Sequence, residues 1–406
     1  DQAEGLPPAA LHAVRRLFGS LRGDPIRQVI ADILAASDAS ASTAGDVVKL
    51  FPERPFPKRR PDVDKEDFDT LDPDAVAGLL DATGPLAASL ERYEFRAEQD
   101  RMLRDVVEAF NGSKHLLIEA GTGVGKSLAY LVPAVLWALI NDVPVIVSTN
   151  TKNLQAQLFH KDLPLLARVI QSDFKAALIK GRRNYLCLRK LFYLLQHSTT
   201  ELEPGERYPL AAALLWALQT ESGELAESVL GTTVKGRELA AKLSSVAEEC
   251  GGVACRLRAR CFLQRARRRA LAADIVVANH AVVFAEMGMP AASPVLPPYR
   301  HIVMDEAHNL EDAMTSAMTR EVSMRRIRFV LGRLCRQGRR KRLRGLVPSL
   351  QIALNQGKGA QAAEIVLLED KAALVARLAL SGEALLPSFF DALSALLRGS
   401  SVLEQR

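Results

Sequence analysis

The stretch Leu116-Leu-Ile-Glu-Ala-Gly-Thr-Gly-Val-Gly-Lys-Ser127 reads as a buried strand, a glycine-rich turn and the start of a helix. Gly121, Gly123 and Gly125, with Thr122 and Val124 between them, let backbone N–H groups wrap a phosphate chain without obstruction by Cβ atoms. The helix opening near Lys126 adds the partial positive charge of its N-terminus. Lys126 is placed to reach the β- and γ-phosphates of ATP, and Ser127 to ligate Mg²⁺. The first position of the pattern is Ala120 rather than glycine. A chance glycine turn is the bland alternative, and the flanking strand and helix count against it.

Working outward, short apolar runs recur at His115–Glu119, Val143–Ser148, Ala176–Ile179, Asp274–Ala278 and His301–Met304. Strands buried on both faces of a parallel sheet look like this, and helical stretches follow several of them, so the fold class is α/β. His301-Ile-Val-Met-Asp-Glu-Ala-His308 ends such a strand in two acids, at the sheet edge where open α/β folds bind ligands. Asp305 is expected to hold Mg²⁺, and Glu306 to orient and deprotonate the attacking water. The run from about Arg182 to Arg269 breaks the strand–helix rhythm and reads as a helical insertion. Before the sheet, residues 1 to about 38 show helical spacing at Leu11, Val14, Leu17 and Leu21. A stretch with Pro52, Pro55, Pro57 and Pro61 then reads as a linker. After Leu310 the chain is helical and basic.

The net charge of +6 is concentrated. Arg256–Arg269 holds seven arginines and no acid, and Arg320–Arg344 holds eleven basic residues against Glu321 alone. Stripes of this kind suit a polyanion, although a solvated helix face has the same composition. Cys187, Cys250, Cys255 and Cys261 form a set of one distant cysteine followed by C-x4-C-x5-C. Four thiolates hold either zinc or an iron–sulfur cluster; buried small hydrophobes are the bland alternative. Cys335 reads as a core residue. The longest apolar run, Leu128–Ile140, is too short to span a bilayer, and no secretory signal is recognisable, so no membrane partner and a cytoplasmic location are expected.

From about Tyr93 to Asp312 the chain resembles the iron–sulfur superfamily 2 DNA helicases of the XPD/DinG type, and the DinG group more closely. Tyr93-Glu-Phe-Arg96-Ala-Glu-Gln99 looks like the adenine-reading motif, with Arg96 and Gln99 at the matching positions. Val147–Leu158, containing Thr149, looks like motif Ia, which touches the DNA backbone. Lys180-Gly-Arg-Arg-Asn-Tyr-Leu-Cys187 is similar to the segment that introduces the first cluster cysteine, and Val277-Ala-Asn-His280 to a motif just after the cluster domain. Asp305–His308 is a DEAH box. The resemblance implies a RecA-like domain over residues 91–181 and 265–318. An iron–sulfur insertion would occupy 182–264, and the start of a helical Arch 319–406, after a connector and linker over 1–90.

The activity implied is an ATP-dependent 5′→3′ DNA helicase with ATP, Mg²⁺ and a [4Fe–4S] cluster on the four cysteines. Single-stranded DNA and duplex junctions would be its partners, met through Thr149, Lys180, Arg182, Arg183, Tyr185, Asn279 and His280. Packing is the alternative for Tyr185. A DEAH-type RNA helicase, or a non-motor iron–sulfur or zinc nucleic-acid-binding protein with a vestigial ATP site, would differ in cluster content or turnover. No motif III, second RecA-like domain or arginine finger is recognisable, so the chain reads as a fragment expected not to unwind DNA by itself.

Overall fold

The computed structural model describes residues 7–18, 44–55, 57, 67–121, 123–287, 294–319, 322–337, 343–356 and 362–399. They fall into two compact units, Asp1–Met318 and Thr319–Arg406. Thr122 of the glycine turn, most of the expected N-terminal helix beyond Phe18, and Arg320 with 338–342 of the second basic stripe lie outside the described residues.

The first unit is built on four parallel strands: β1 (Val145–Thr149), β2 (Ala176–Ile179), β3 (Ile275–Asn279) and β4 (His301–Met304), in the order β2-β3-β1-β4. Ser148 lies opposite Ala278 on one side and Met304 on the other, which brings the carboxyl ends of β3, β1 and β4 level. The β-branched runs Val-Ile-Val and Ile-Val-Val favour pleated backbone, and their alternation feeds two cores. Val145, Val147, Ile275 and Val277 face a core shared with the helices Ala97–Asn111 and Lys126–Asn141. Ile146, Val276 and Ala278 face a second core with Leu263, Ala270, Val282 and Val283. Each such aliphatic side chain fully removed from water stabilises the fold by about 1.5–3 kcal/mol.

One expected strand is absent. Residues 114–120, including the run His115–Glu119, have no strand pairing, and Leu117 is 89% exposed. An apolar run becomes a strand only where a neighbour accepts its ladder, and among the described residues β4 ends the sheet with no strand beyond it. The other four expected strands are present, shifted by at most two residues at their ends.

The described part of the N-terminal region packs on the helices between β2 and β3. Helices Pro8–Phe18 and Ala44–Lys49 share a core with the insertion's helices Leu188–Gln196 and Arg207–Gln219. Phe51 meets Phe192 edge-on at 5.5 Å, and Phe18 meets Tyr208 at 4.9 Å. Phe68, Leu71, Val76 and Leu80 instead join the core under the sheet, beside Trp137. The proline-rich stretch therefore joins segments that belong to two different cores.

The second unit contains the helices Met324–Leu334, Leu346–Gln356 and Ala362–Gly399 with a two-stranded antiparallel pair, Arg336–Gln337 and Leu343–Arg344. Its core is small: Cys335, Val347, Ala372, Ala376 and Ala379, backed by Leu331, Leu334 and Leu380. Within the long helix, Leu367–Leu396 is long and apolar enough to cross a membrane by length and composition alone. It carries Arg377, Glu383 and Asp391, and its alanines at 372, 376 and 379 lie in the unit's core.

Candidate active site and nucleic-acid surface

The glycine turn lies where the sheet's carboxyl edge meets the helix Lys126–Asn141. Gly123 and Gly125 have φ of 85° and 86°, a region that side chains rarely occupy. At Gly125 a Cβ would also collide with the amide of Gln99, whose Nε2 donates to the Gly125 carbonyl at 2.8 Å. Arg96 donates to the carbonyl of Gly123. The two residues matched to adenine reading thus brace the turn itself. Lys126 Nζ donates to the Ala120 carbonyl at 3.1 Å, so the lysine is folded back onto its own loop.

The second half of the site hangs from β1 and β4. Asp305 N donates to the Ser148 carbonyl at 2.8 Å, which carries the sheet ladder one residue past β4. Glu306 follows with left-handed backbone, φ 59° and ψ 43°, uncommon for a residue with a side chain. Its N–H donates to Asp305 Oδ1 at 2.9 Å, and its carbonyl accepts from Asn309 N at 3.0 Å. His308 Nε2 sits 3.4 Å from Glu306 Oε2 and 2.8 Å from Asn309 Nδ2.

Tyr130 joins the two halves. Its hydroxyl donates to Asp305 Oδ2 at 2.9 Å. Burial, with Asp305 next to it, pushes the phenol far above its ordinary pKa, so it remains a donor. Sequence reasoning missed this residue. Among the apolar positions of a helix start, a tyrosine reads as core, and its partner lies 175 residues away.

The seven residues expected to meet nucleic acid divide sharply. Tyr185 is 1% exposed, and its hydroxyl accepts from Lys180 N at 3.1 Å, so the ring has no face for a base. This corrects the stacking role. Thr149 and His280 are likewise buried, and Asn279 Oδ1 accepts from Val282 N, capping the helix His280–Met287. Lys180 is committed to a largely buried ion pair with Glu224. Arg182 and Arg183 lie in a short 3₁₀ turn, Arg183 exposed and Arg182 half-buried.

Beside that turn stands the helix Phe262–Leu271, part of the first basic stripe, which packs on β2. Arg265 lies 4.8 Å above the Phe262 ring, and burial with neighbouring Arg54 and Arg269 pushes its pKa down to about 10. Arg267 is lowered too, by burial and then by Arg182. Its Nε is buried without a partner.

The four cysteines bracket the insertion. Cys187 precedes the helix Leu188–Gln196 and its N–H donates to the Leu243 carbonyl at 2.9 Å; Cys261 precedes Phe262–Leu271. All four are half-buried free thiols. Burial raises the Cys261 pKa, and Cys187 and Cys250 raise it further, which makes those two its electrostatic neighbours. No group of three or more potential metal ligands stands assembled among the described residues. Cys335 is fully buried.

No protein-family model matches the chain. Among curated proteins it is 41% identical over 258 residues to the ATP-dependent helicase DinG of Mycobacterium tuberculosis, an alignment covering 59% of this chain and 38% of that protein. It is 34% identical over 257 residues to the ATP-dependent DNA helicase YoaA of Haemophilus influenzae, covering 62% of this chain and 39% of the relative. It is 32% identical over 276 residues to the 3′-5′ exonuclease DinG of Bacillus subtilis, covering 64% of this chain and 28% of the relative. The chain thus spans well under half the length of these relatives. Over about three-fifths of its own length it is similar to DinG-type helicases.

Proposed function

We propose that this chain is the ATP-binding motor portion of a cytoplasmic DNA helicase that hydrolyses ATP, travels 5′→3′ on single-stranded DNA and opens duplex at junctions. The observation that carries this reading is the Tyr130 bridge. One hydroxyl, near the start of the helix that the glycine turn opens, holds that helix to Asp305, the residue after β4. A nucleotide phosphate chain on residues 121–125 would therefore end against Asp305 and Glu306. In this reading Lys126 leaves the Ala120 carbonyl for the β- and γ-phosphates, and Arg96 and Gln99 hold the turn from the adenine side. Ser127 and Asp305 would hold Mg²⁺, which would supply neutralising charge to the phosphates. Glu306 orients the attacking water and takes its proton.

DNA is read as crossing Arg182, Arg183 and the arginines of Phe262–Leu271, where charge is densest. The cysteines at 187, 250, 255 and 261 are read as the holders of a [4Fe–4S] cluster, which would tie the insertion's turns together. Nothing in this assignment uses the cluster for ATP chemistry.

Nucleotide binding and turnover test the reading together. Lys126→Ala is expected to abolish binding of a fluorescent ATP analogue, and Glu306→Gln to keep binding while losing hydrolysis under single-turnover conditions. Equal nucleotide affinity for Lys126→Ala and the parent would remove the assignment.

A further inference from the structure

The helix Ala362–Gly399 turns small residues inward and large ones outward. Ala372, Ala376 and Ala379 lie in the core of the second unit. Leu367, Leu374, Leu378, Leu385, Phe389 and Leu396 are all exposed. An ordinary amphipathic helix does the reverse, with its bulkiest apolar side chains facing the core. At roughly 100° per residue the six fall within about 60° of one another, in a stripe about 44 Å long. Exposed apolar surface of that continuity marks a contact with another molecule.

The spacing along the stripe says what can cover it. Its successive steps are seven, four, seven, four and seven residues. Positions eleven apart are close to three helical turns apart, so the stripe runs nearly straight, with a slight right-handed drift. The series also reads the same from either end. Turned over about a two-fold axis between Ser381 and Gly382, the stripe falls onto itself. Leu367 then meets Leu396 of a second copy, Leu374 meets Phe389, and Leu378 meets Leu385. A two-fold contact requires self-complementarity of this kind, whereas a foreign partner or a lipid surface requires none. Charge selects the same direction. Exposed Lys371 lies at the margin of the stripe, and antiparallel copies set it level with Ala392 of the second copy. Parallel copies would set it against the same lysine, and like charges repel.

We propose that this helix is a homodimer contact, in which two copies of the chain pack antiparallel along the stripe. The inference uses no residue of the nucleotide site and stands apart from the ATPase reading.

Sedimentation equilibrium of the 406-residue chain over a concentration series tests it. The weight-average mass should rise from that of one chain to that of two and go no further. Leu378→Lys and Leu385→Glu replace side chains that are 60% and 64% exposed, so each variant should keep the parent's circular dichroism. Each should weaken dimerisation about tenfold or more, because it buries an unpaired charge.

The antiparallel register makes a sharper demand. With both substitutions in one chain, each new ammonium group lies opposite a new carboxylate of the second copy. The double variant should regain dimerisation to within about threefold of the parent, as should an equimolar mixture of the two single variants. Parallel packing would set like charges together at both positions and give no rescue. A parent that is monomeric throughout, association that both single variants leave intact, as along the β4 edge, or a double variant without rescue would overturn the inference. So would a monomeric parent that floats with phosphatidylglycerol vesicles, which would give the stripe to a membrane.

Discussion

Tyr185 shows how far a residue's chemistry can point away from its place. An aromatic amid Lys180, Arg182 and Arg183 has the composition of a base-stacking site. Nothing in the one-dimensional pattern reveals that its ring packs with Ile179, Leu263 and Ala270. Burial, together with nearby Glu224, raises its phenol pKa, against the hydrogen bond from the Lys180 backbone that lowers it. Tyr185→Phe should therefore leave affinity for oligo(dT) unchanged and cost about 1–3 kcal/mol of stability, read by urea unfolding, because the Lys180 N–H loses its acceptor. A stacking tyrosine would show the reverse pattern, weaker binding by about 1–3 kcal/mol per base. The glycines, Lys126 and the two acids were legible because their chemistry admits few other residue types. Tyr130 was not, since its contact with Asp305 is one that only the folded chain creates.

Among the elements, strands were read more securely than their neighbours. Val145–Thr149 and Ile275–Asn279 announce themselves by β-branched runs, whereas His115–Glu119 has the same look and pairs with nothing among the described residues. Periodicity in Pro8–Phe18 shows that one face is buried but not against what, and the face lies on the insertion. The helix Phe262–Leu271 is the element on which the nucleic-acid reading depends. Its Arg267 is the charge neighbour of Arg182 in the adjoining turn. Arg182→Glu with Arg183→Glu should weaken oligo(dT) binding about tenfold at low salt and alter sequence preference little. If two phosphate contacts are lost, the slope of log affinity against log salt should shrink by about 1.4. Fluorescence anisotropy at several salt concentrations measures both, and an unchanged slope would return these arginines to an ordinary solvated surface.

On the scale of the whole molecule, the cysteines are the most consequential group. Cys187 and Cys261 stand at the two places where the insertion leaves and rejoins the sheet. Between Cys255 and Cys261, Arg260 donates to the Phe51 carbonyl at 2.8 Å and pairs with Glu53, so the cysteine loop is tied to the N-terminal segment as well. A group bridging the four thiols would therefore secure three stretches of chain that are remote in sequence. Anaerobically purified protein should contain about four iron and four sulfide per chain. Chelation should lower the melting temperature, and Cys335→Ser should leave the metal content as it was. Zinc at about one equivalent without sulfide would replace the cluster with a zinc site.

The end of the sheet has a bearing on how the protein behaves at high concentration. β4 has a neighbour on one side only among the described residues, its four residues are half-buried, and Leu116 and Leu117 lie open in the unpaired segment before the glycine turn. A strand rim of this kind is a template on which the strands of other copies can be laid down. Asp305 follows that strand directly, so the seam along which copies would stick together terminates at the two acids proposed for hydrolysis. Self-association and loss of the nucleotide site would then be one event, and keeping the protein dispersed would be the same task as keeping it active.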